Sequence, residues 1–173
     1  MLGIQPEASE AAVPETSTPL PAFQSLDTVR IVGGKRTTGR LDEFETRYLN
    51  RLATASFNRA DIEKVNPVDT WQMLSRVASV KFMPTGKTGG QFPLSGRGFR
   101  VDAAGAQPCY MSVMIDGVLM LPNPGEPAFD VSRLPSPEDV HGIEVFAGPG
   151  SIPPKYNGAG GDKTCGLIAI WTR

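Results

Sequence analysis

Glycine and proline break this chain so often that long regular elements have nowhere to form. The sequence holds 19 Gly and 16 Pro among 173 residues. That density argues for short elements joined by many loops and against a helical bundle. No apolar run approaches the roughly 20 residues that a membrane-spanning helix requires. The length suits one domain with a modest core. A net charge of -1 lacks the basic surplus that nucleic-acid-binding proteins usually carry, so no nucleic-acid partner is expected.

The start of the chain does not read as a secretory signal. Met1 to Ala12 has no basic head and places Glu7 and Glu10 where an apolar stretch belongs, so either a signal has been removed or the start lies inside a longer gene. Residues 1–25 carry Pro6, Pro14, Pro19 and Pro21 among Glu, Ser and Thr, with few aromatics. Such a segment buries too little apolar surface to offset its ordering entropy, and it is read as a flexible Pro-rich linker. Residues 26–173 are expected to form the domain. Val29, Ile31 and Val32 lead as a β-like run into Gly33-Gly34.

Downstream the apolar period alternates between helix and strand. Phe44, Tyr48 and Leu52 fall on one helical face, leaving Glu43, Arg47 and Arg51 for solvent. Asn58 is placed to cap a short helix through Ile62 and Val65 that Pro67 ends. Asp69 is placed to cap another, with Trp71, Leu74 and Val77 or Ala78 as its buried stripe, running on into a strand at Val80–Met83. Thr85 to Gly98 reads as a glycine-rich loop and Gly98 to Val101 as a short strand. Cys109 to Ile115 alternates as a strand. Asp116-Gly117 is a two-residue hairpin turn, since a type I′ turn needs positive φ at both positions, and Val118 to Leu121 returns. Ser136 is expected to cap a helical turn, Ile143 to Ala147 to form a strand, and Gly166 to Thr172 to form the last one. The fold class is α+β: short helices on a small mixed β-sheet, rich in loops.

Few residues point to chemistry. Gly86-Lys87-Thr88 resembles the end of a phosphate-binding loop, but Lys81 stands where that loop needs glycine, so a polar loop is the better reading. His141 is the single histidine, between a helical turn and a strand, where a capping or surface role is expected. The carboxylates are scattered, and no acid–base pair or nucleophile set stands out, so no catalytic residue, metal or cofactor is assigned. One histidine cannot complete a zinc site with Cys109 and Cys165. Those cysteines each precede a strand-like run: neighbouring strands would bring them to a disulfide, separate ones would leave two buried thiols. Arg97, flanked by Gly96 and Gly98, is either a solvated turn residue or an arginine reaching a carboxylate. Glu144 sits mid-strand on the face opposite Ile143, turned to solvent or to another protein surface.

The order of the C-terminal motifs is specific. Asp116-Gly117-Val118, then Leu134-Pro-Ser-Pro through Ile143-Glu-Val-Phe-Ala-Gly-Pro-Gly150, then Tyr156-Asn-Gly158, then Cys165-Gly-Leu-Ile-Ala-Ile-Trp-Thr-Arg173 resembles the plug domain of TonB-dependent receptors. Arg97-Gly98 and the helix from Asp69 to Val80 are similar to upstream elements of that family, and the resemblance covers Leu26 to Arg173. It implies a gating and binding role, not catalysis, inside an outer-membrane barrel of about twenty-two strands. It implies the receptor's β-barrel and TonB as partners, a small-molecule or siderophore-type substrate, and a place at the outer membrane, periplasmic side. It also implies a Cys109–Cys165 disulfide, a TonB box at Asp27, Thr28, Val29, Arg30, Ile31 and Val32 that pairs as an added strand, and barrel contacts by Arg97 and Glu144. No series of barrel strands follows in this sequence. The barrel is therefore expected from another stretch of polypeptide, or the chain is a stand-alone periplasmic module that binds a ligand or protein.

Overall fold

The structure, a computed structural model, describes residues 39–84, 90–157 and 163–173. The expected linker at 1–25, the TonB-box-like segment from Asp27 to Val32 and the Gly86-Lys87-Thr88 loop lie outside those residues. The elements run α1 (Arg40–Leu49), β1 (Ala55–Phe57), α2 (Arg59–Val65), α3 (Trp71–Leu74), β2 (Val80–Pro84), β3 (Gln91–Asp102), β4 (Gly105–Tyr110), β5 (Ser112–Ile115), β6 (Val118–Met120), β7 (Val140–Phe146), α4 (Pro154–Asn157) and β8 (Leu167–Thr172). Short 3-10 turns occupy Val131–Arg133 and Pro149–Ser151. The fold is α+β, as the sequence implies.

Strands buried on both faces need cover on both sides of a sheet; β8 is a near-continuous apolar run, and β7 is buried at every residue but His141. They lie at the centre of a five-stranded sheet of order β1-β7-β8-β5-β6. It is mixed: β5 and β8 are parallel, the other neighbours antiparallel. One face, with Val113, Ile143, Val145, Ile168 and Ile170, packs against Ile62 of α2 and Met73 and Leu74 of α3. The other, with Met114, Phe146, Leu167, Ala169 and Trp171, packs against Phe44 of α1 and Tyr156 of α4. The Asp-Gly hairpin and the closing strand thus share one sheet.

Local signals explain most boundaries. Asp116 (φ 52°) and Gly117 (φ 87°) both take positive φ, which sets the β5–β6 turn. The Asp116 carboxylate also accepts from Thr172 N at 2.9 Å and Thr172 Oγ1 at 2.5 Å, tying the turn to the end of β8. Asn58 and Asp61 form a reciprocal capping box on α2, each side chain accepting from the other's backbone N–H at 3.0 Å. Asn66, left-handed at φ 49°, ends that helix before Pro67.

Three expectations change. The stretch 91–98 is strand, not loop: β3 joins β2 and β4 in a separate three-stranded antiparallel sheet. Gly96 permits this, because a Cβ there would lie 3.1 Å from Ala78 O, and Gly96 N donates to Ser79 O at 2.7 Å. The strand expected from Cys109 to Ile115 divides at Met111. Met111 N bonds Pro93 O in the small sheet, and Ser112 N bonds the Gly166 carbonyl beside the large one. The helix after Asp69 is only α3, preceded by Thr70, and Val77 is buried in the turn beyond it. The Ser136 segment closes as a turn, Asp139 N donating to Ser136 O at 2.9 Å.

Cys109 at the end of the small sheet and Cys165 just before β8 form a disulfide, with Cα atoms 5.3 Å apart and a sequence separation of 56. It joins the two sheets close to where the chain crosses from one to the other. Closing a loop of that length stabilises by about 4 kcal/mol in the chain-entropy model. Replacing both cysteines with serine is expected to lower unfolding free energy by roughly that amount in urea titrations. Identical curves for the two proteins would count against a formed bridge.

Candidate functional site

The residues expected to act on a partner fall into two separate places. The first lies beneath α1. This helix begins after Gly39 (φ 72°), with Asp42 and Glu43 in its first turn and Arg47 in its last, signs that suit its dipole. Phe44 is fully buried. It occupies a notch at Gly142, where an added Cβ would lie 2.1 Å from the Phe44 ring. Thr54 then docks the connection to β1, its N–H donating to Val145 O at 2.9 Å and its hydroxyl accepting from Ala147 N at 3.0 Å.

Arg47 is the correction that matters most. Expected in solvent, it is 7% exposed and faces Glu144, which is 0% exposed. Its Nε donates to Glu144 Oε1 and its Nη2 to Oε2, both at 2.8 Å. Trp171 Nε1 donates to Oε2 at 2.8 Å. The guanidinium carbon also lies 5.4 Å from the Trp171 ring centre and 5.6 Å from that of Tyr156. Burial works against the Arg47 charge, but the hydrogen bonds and negative charge of Glu144 outweigh it and hold its pKa above the ordinary value. Burial pushes the Tyr156 phenol up to about 12, with Arg47 opposing and Glu144 reinforcing. The Tyr156 hydroxyl is buried and has no hydrogen-bond partner among the described residues.

Glu144, expected as a barrel contact, pairs here with the chain's own Arg47. Alternation does turn it away from Ile143, and α1 covers the face it turns to. Leu52, expected on the buried side of the helix, is 58% exposed instead. The rim is polar. Glu45 Oε1 lies 2.7 Å from His141 Nε2, Glu43 pairs with Lys155, Tyr48 OH donates to Asp61 Oδ2 at 2.9 Å, and Arg40 Nε lies 3.4 Å from Asp116 Oδ1. His141 thus sits within β7 as the ring partner of Phe44, at 5.7 Å, and of a carboxylate.

The second place is the exposed Arg97 on β3. Its Nη1 lies 3.2 Å from where a Cβ of Gly148 would be. Its guanidinium borders a cleft of about 230 Å³ shared with Ser95, Phe99, Cys109 and Pro149. Arg97 and the disulfide come together here, and Glu144 belongs to the other site. A further cleft of about 260 Å³ lies between Tyr110, Phe129 and the β6 end, lined by Pro108, Pro122 and Pro127. Among the described residues, no group of three or more His, Cys, Asp or Glu is placed to hold a metal ion.

Sequence reasoning missed Arg47, Tyr156 and Trp171. The available signal was the spacing of Phe44 and Arg47, three apart on one helical face, together with Gly142 and Glu144, two apart on one strand face.

The sequence matches the family model described as TonB-dependent Receptor Plug Domain over residues 50–161, more than half of the chain. No curated protein matches it. Arg97, Gly142, Glu144 and Tyr156 fall inside the matched segment, whereas α1 with Arg47, and Trp171, fall outside.

Removing one member of a buried ion pair strands the other. Glu144→Ala or Arg47→Ala is expected to cost about 3–5 kcal/mol of unfolding free energy, and the double variant Arg47→Met with Glu144→Leu clearly less than the two singles summed. Chemical denaturation reads both. Losses below about 1 kcal/mol for either single, the range of surface pairs, would show that the pair is solvated.

Proposed function

This chain belongs to the TonB-dependent receptor plug domain family, and on that premise we propose that it is the gating plug of a TonB-dependent outer-membrane transporter. Its role is to bind and to gate, with no catalytic step. The observation that carries this reading is the shared sheet of the Asp116–Gly117 hairpin and β8, with Thr172 clamped to Asp116. It joins the hairpin and the exit strand that the family motifs span in one sheet. Residues 26–173 act as the plug and residues 1–25 as its linker, with Asp27 to Val32 as the segment that pairs with TonB by strand addition. Arg97, exposed and cationic, is the candidate for a bidentate contact with a carboxylate on the barrel wall. The substrate is a small molecule, siderophore-type compounds included, met at the outer-membrane surface.

A second reading has its own support. The face carrying Glu144 is closed by the chain's own helix, which suits a stand-alone periplasmic module that binds a ligand or protein.

Planar-bilayer conductance separates the two. Plug-less TonB-dependent receptor barrels from the same genome leave an open pore, and adding the purified chain is expected to close one of them. Arg97→Glu should weaken closure at least about tenfold, the scale of one lost charge-assisted contact, while the melting temperature holds. Pores that stay open with every barrel would defeat the transporter reading.

A further inference from the structure

Helix α1 is attached to the domain like a ligand. Its backbone hydrogen bonds run within the helix and its end turns. Side chains make the attachment: Phe44 in the Gly142 notch, Arg47 on Glu144, and Arg40, Glu43, Glu45 and Tyr48 around the edge. The receiving surface has a matching charge pattern. Glu144 lies at the centre beneath Arg47, Lys155 meets Glu43 and Asp116 meets Arg40, while the His141 imidazole hydrogen-bonds Glu45. Except for Trp171, these receiving residues lie within the family-matched segment, and α1 lies outside it.

From this juxtaposition we infer that the sheet face around Gly142 and Glu144 is a helix-binding site, occupied in cis by α1. The partner it fits is a protein helix that presents an aromatic residue three positions before an arginine, with carboxylates on the flanking turns. Three features select that chemistry. The missing Cβ at Gly142 leaves a notch that an aromatic ring fills. The two oxygens of Glu144 accept a guanidinium fork, which an ammonium cannot match. The rings of Trp171 and Tyr156 flank that fork at 5.4 and 5.6 Å. The mode is a helix laid in a groove, read through residues one turn apart. A partner must compete with α1, so its apparent affinity is lowered by the fraction of molecules in which α1 is undocked. The inference does not depend on whether a barrel surrounds the domain.

Two measurements test it. Hydrogen exchange on the unmodified chain should show the amides of Phe44 to Leu49 opening independently, at least tenfold less protected than those of β7 and β8. Exchange of α1 only at the rate of global unfolding would overturn the inference. A labelled synthetic peptide of residues 39–52 should bind Phe44→Ala chain at least tenfold more tightly than the unmodified chain, by fluorescence anisotropy. The same peptide carrying Arg47→Gln should lose that binding. Equal binding to both chains, or binding that survives Arg47→Gln, would also overturn it. Should Phe44→Ala fail to fold, the exchange experiment decides alone.

Discussion

A carboxylate removed from water has to find its counter-charge within the protein, and the placement of Glu144 organises one side of this domain around that requirement. Its two oxygens take three hydrogen bonds, two from Arg47 and one from Trp171. The desolvation of such a pair is repaid only with good geometry and full satisfaction of the oxygens. Both conditions constrain α1, the helix that brings Arg47 to Glu144 and Phe44 to the notch at Gly142. The missing methyl at one strand position and the charge two residues later therefore fix where a whole helix lies.

The opposite face of the sheet has no such centre. It is aliphatic, built from Ile143, Val145, Ile168 and Ile170 against α2 and α3, and its stability is spread over many small contacts. The two faces differ accordingly in how they respond to change. An aliphatic face tolerates volume-conserving substitution, while a buried ion pair fails when either member is removed. Covalent and polar ties then hold the parts together. The Cys109–Cys165 bridge joins the sheets, and Asp116 holds the last strand through Thr172. Asp130 adds a third tie, accepting from Gln91 N at 2.8 Å and Ser132 N at 2.9 Å. Burial opposes its charge, but those N–H donors prevail and keep its pKa below the ordinary value. Its stabilisation is thus complete at neutral pH and is lost as the pH falls through that lowered pKa.

Placing the chain in its family bears on function through the parts that match and the parts that do not. The segment 50–161 carries the hairpin, β7 and Arg97. The helix that closes the Glu144 face comes from outside it. The domain thus satisfies this buried charge from within, and Arg97 lies exposed on β3.

The sequence by itself determined what depends on neighbours in the chain. Positive φ at Asp116 and Gly117 makes the β5–β6 turn, Asn58 and Asp61 start α2, and the alternation of β7 places Ile143 and Glu144 on opposite faces. The motif order brought the family and the disulfide into view. Tertiary structure alone decided what lies against those faces. Helical period places Phe44, Arg47 and Tyr48 near one another on α1 but cannot say which of them meets a sheet, and so Arg47 read as solvated and Glu144 as a surface for another protein. The passage of the chain between sheets at Met111 was equally hidden, because alternation continues unbroken through it. Periodicity records which side a residue points to, whereas the identity of what covers that side depends on residues distant in sequence, such as Arg47 and Glu144 at a separation of 97.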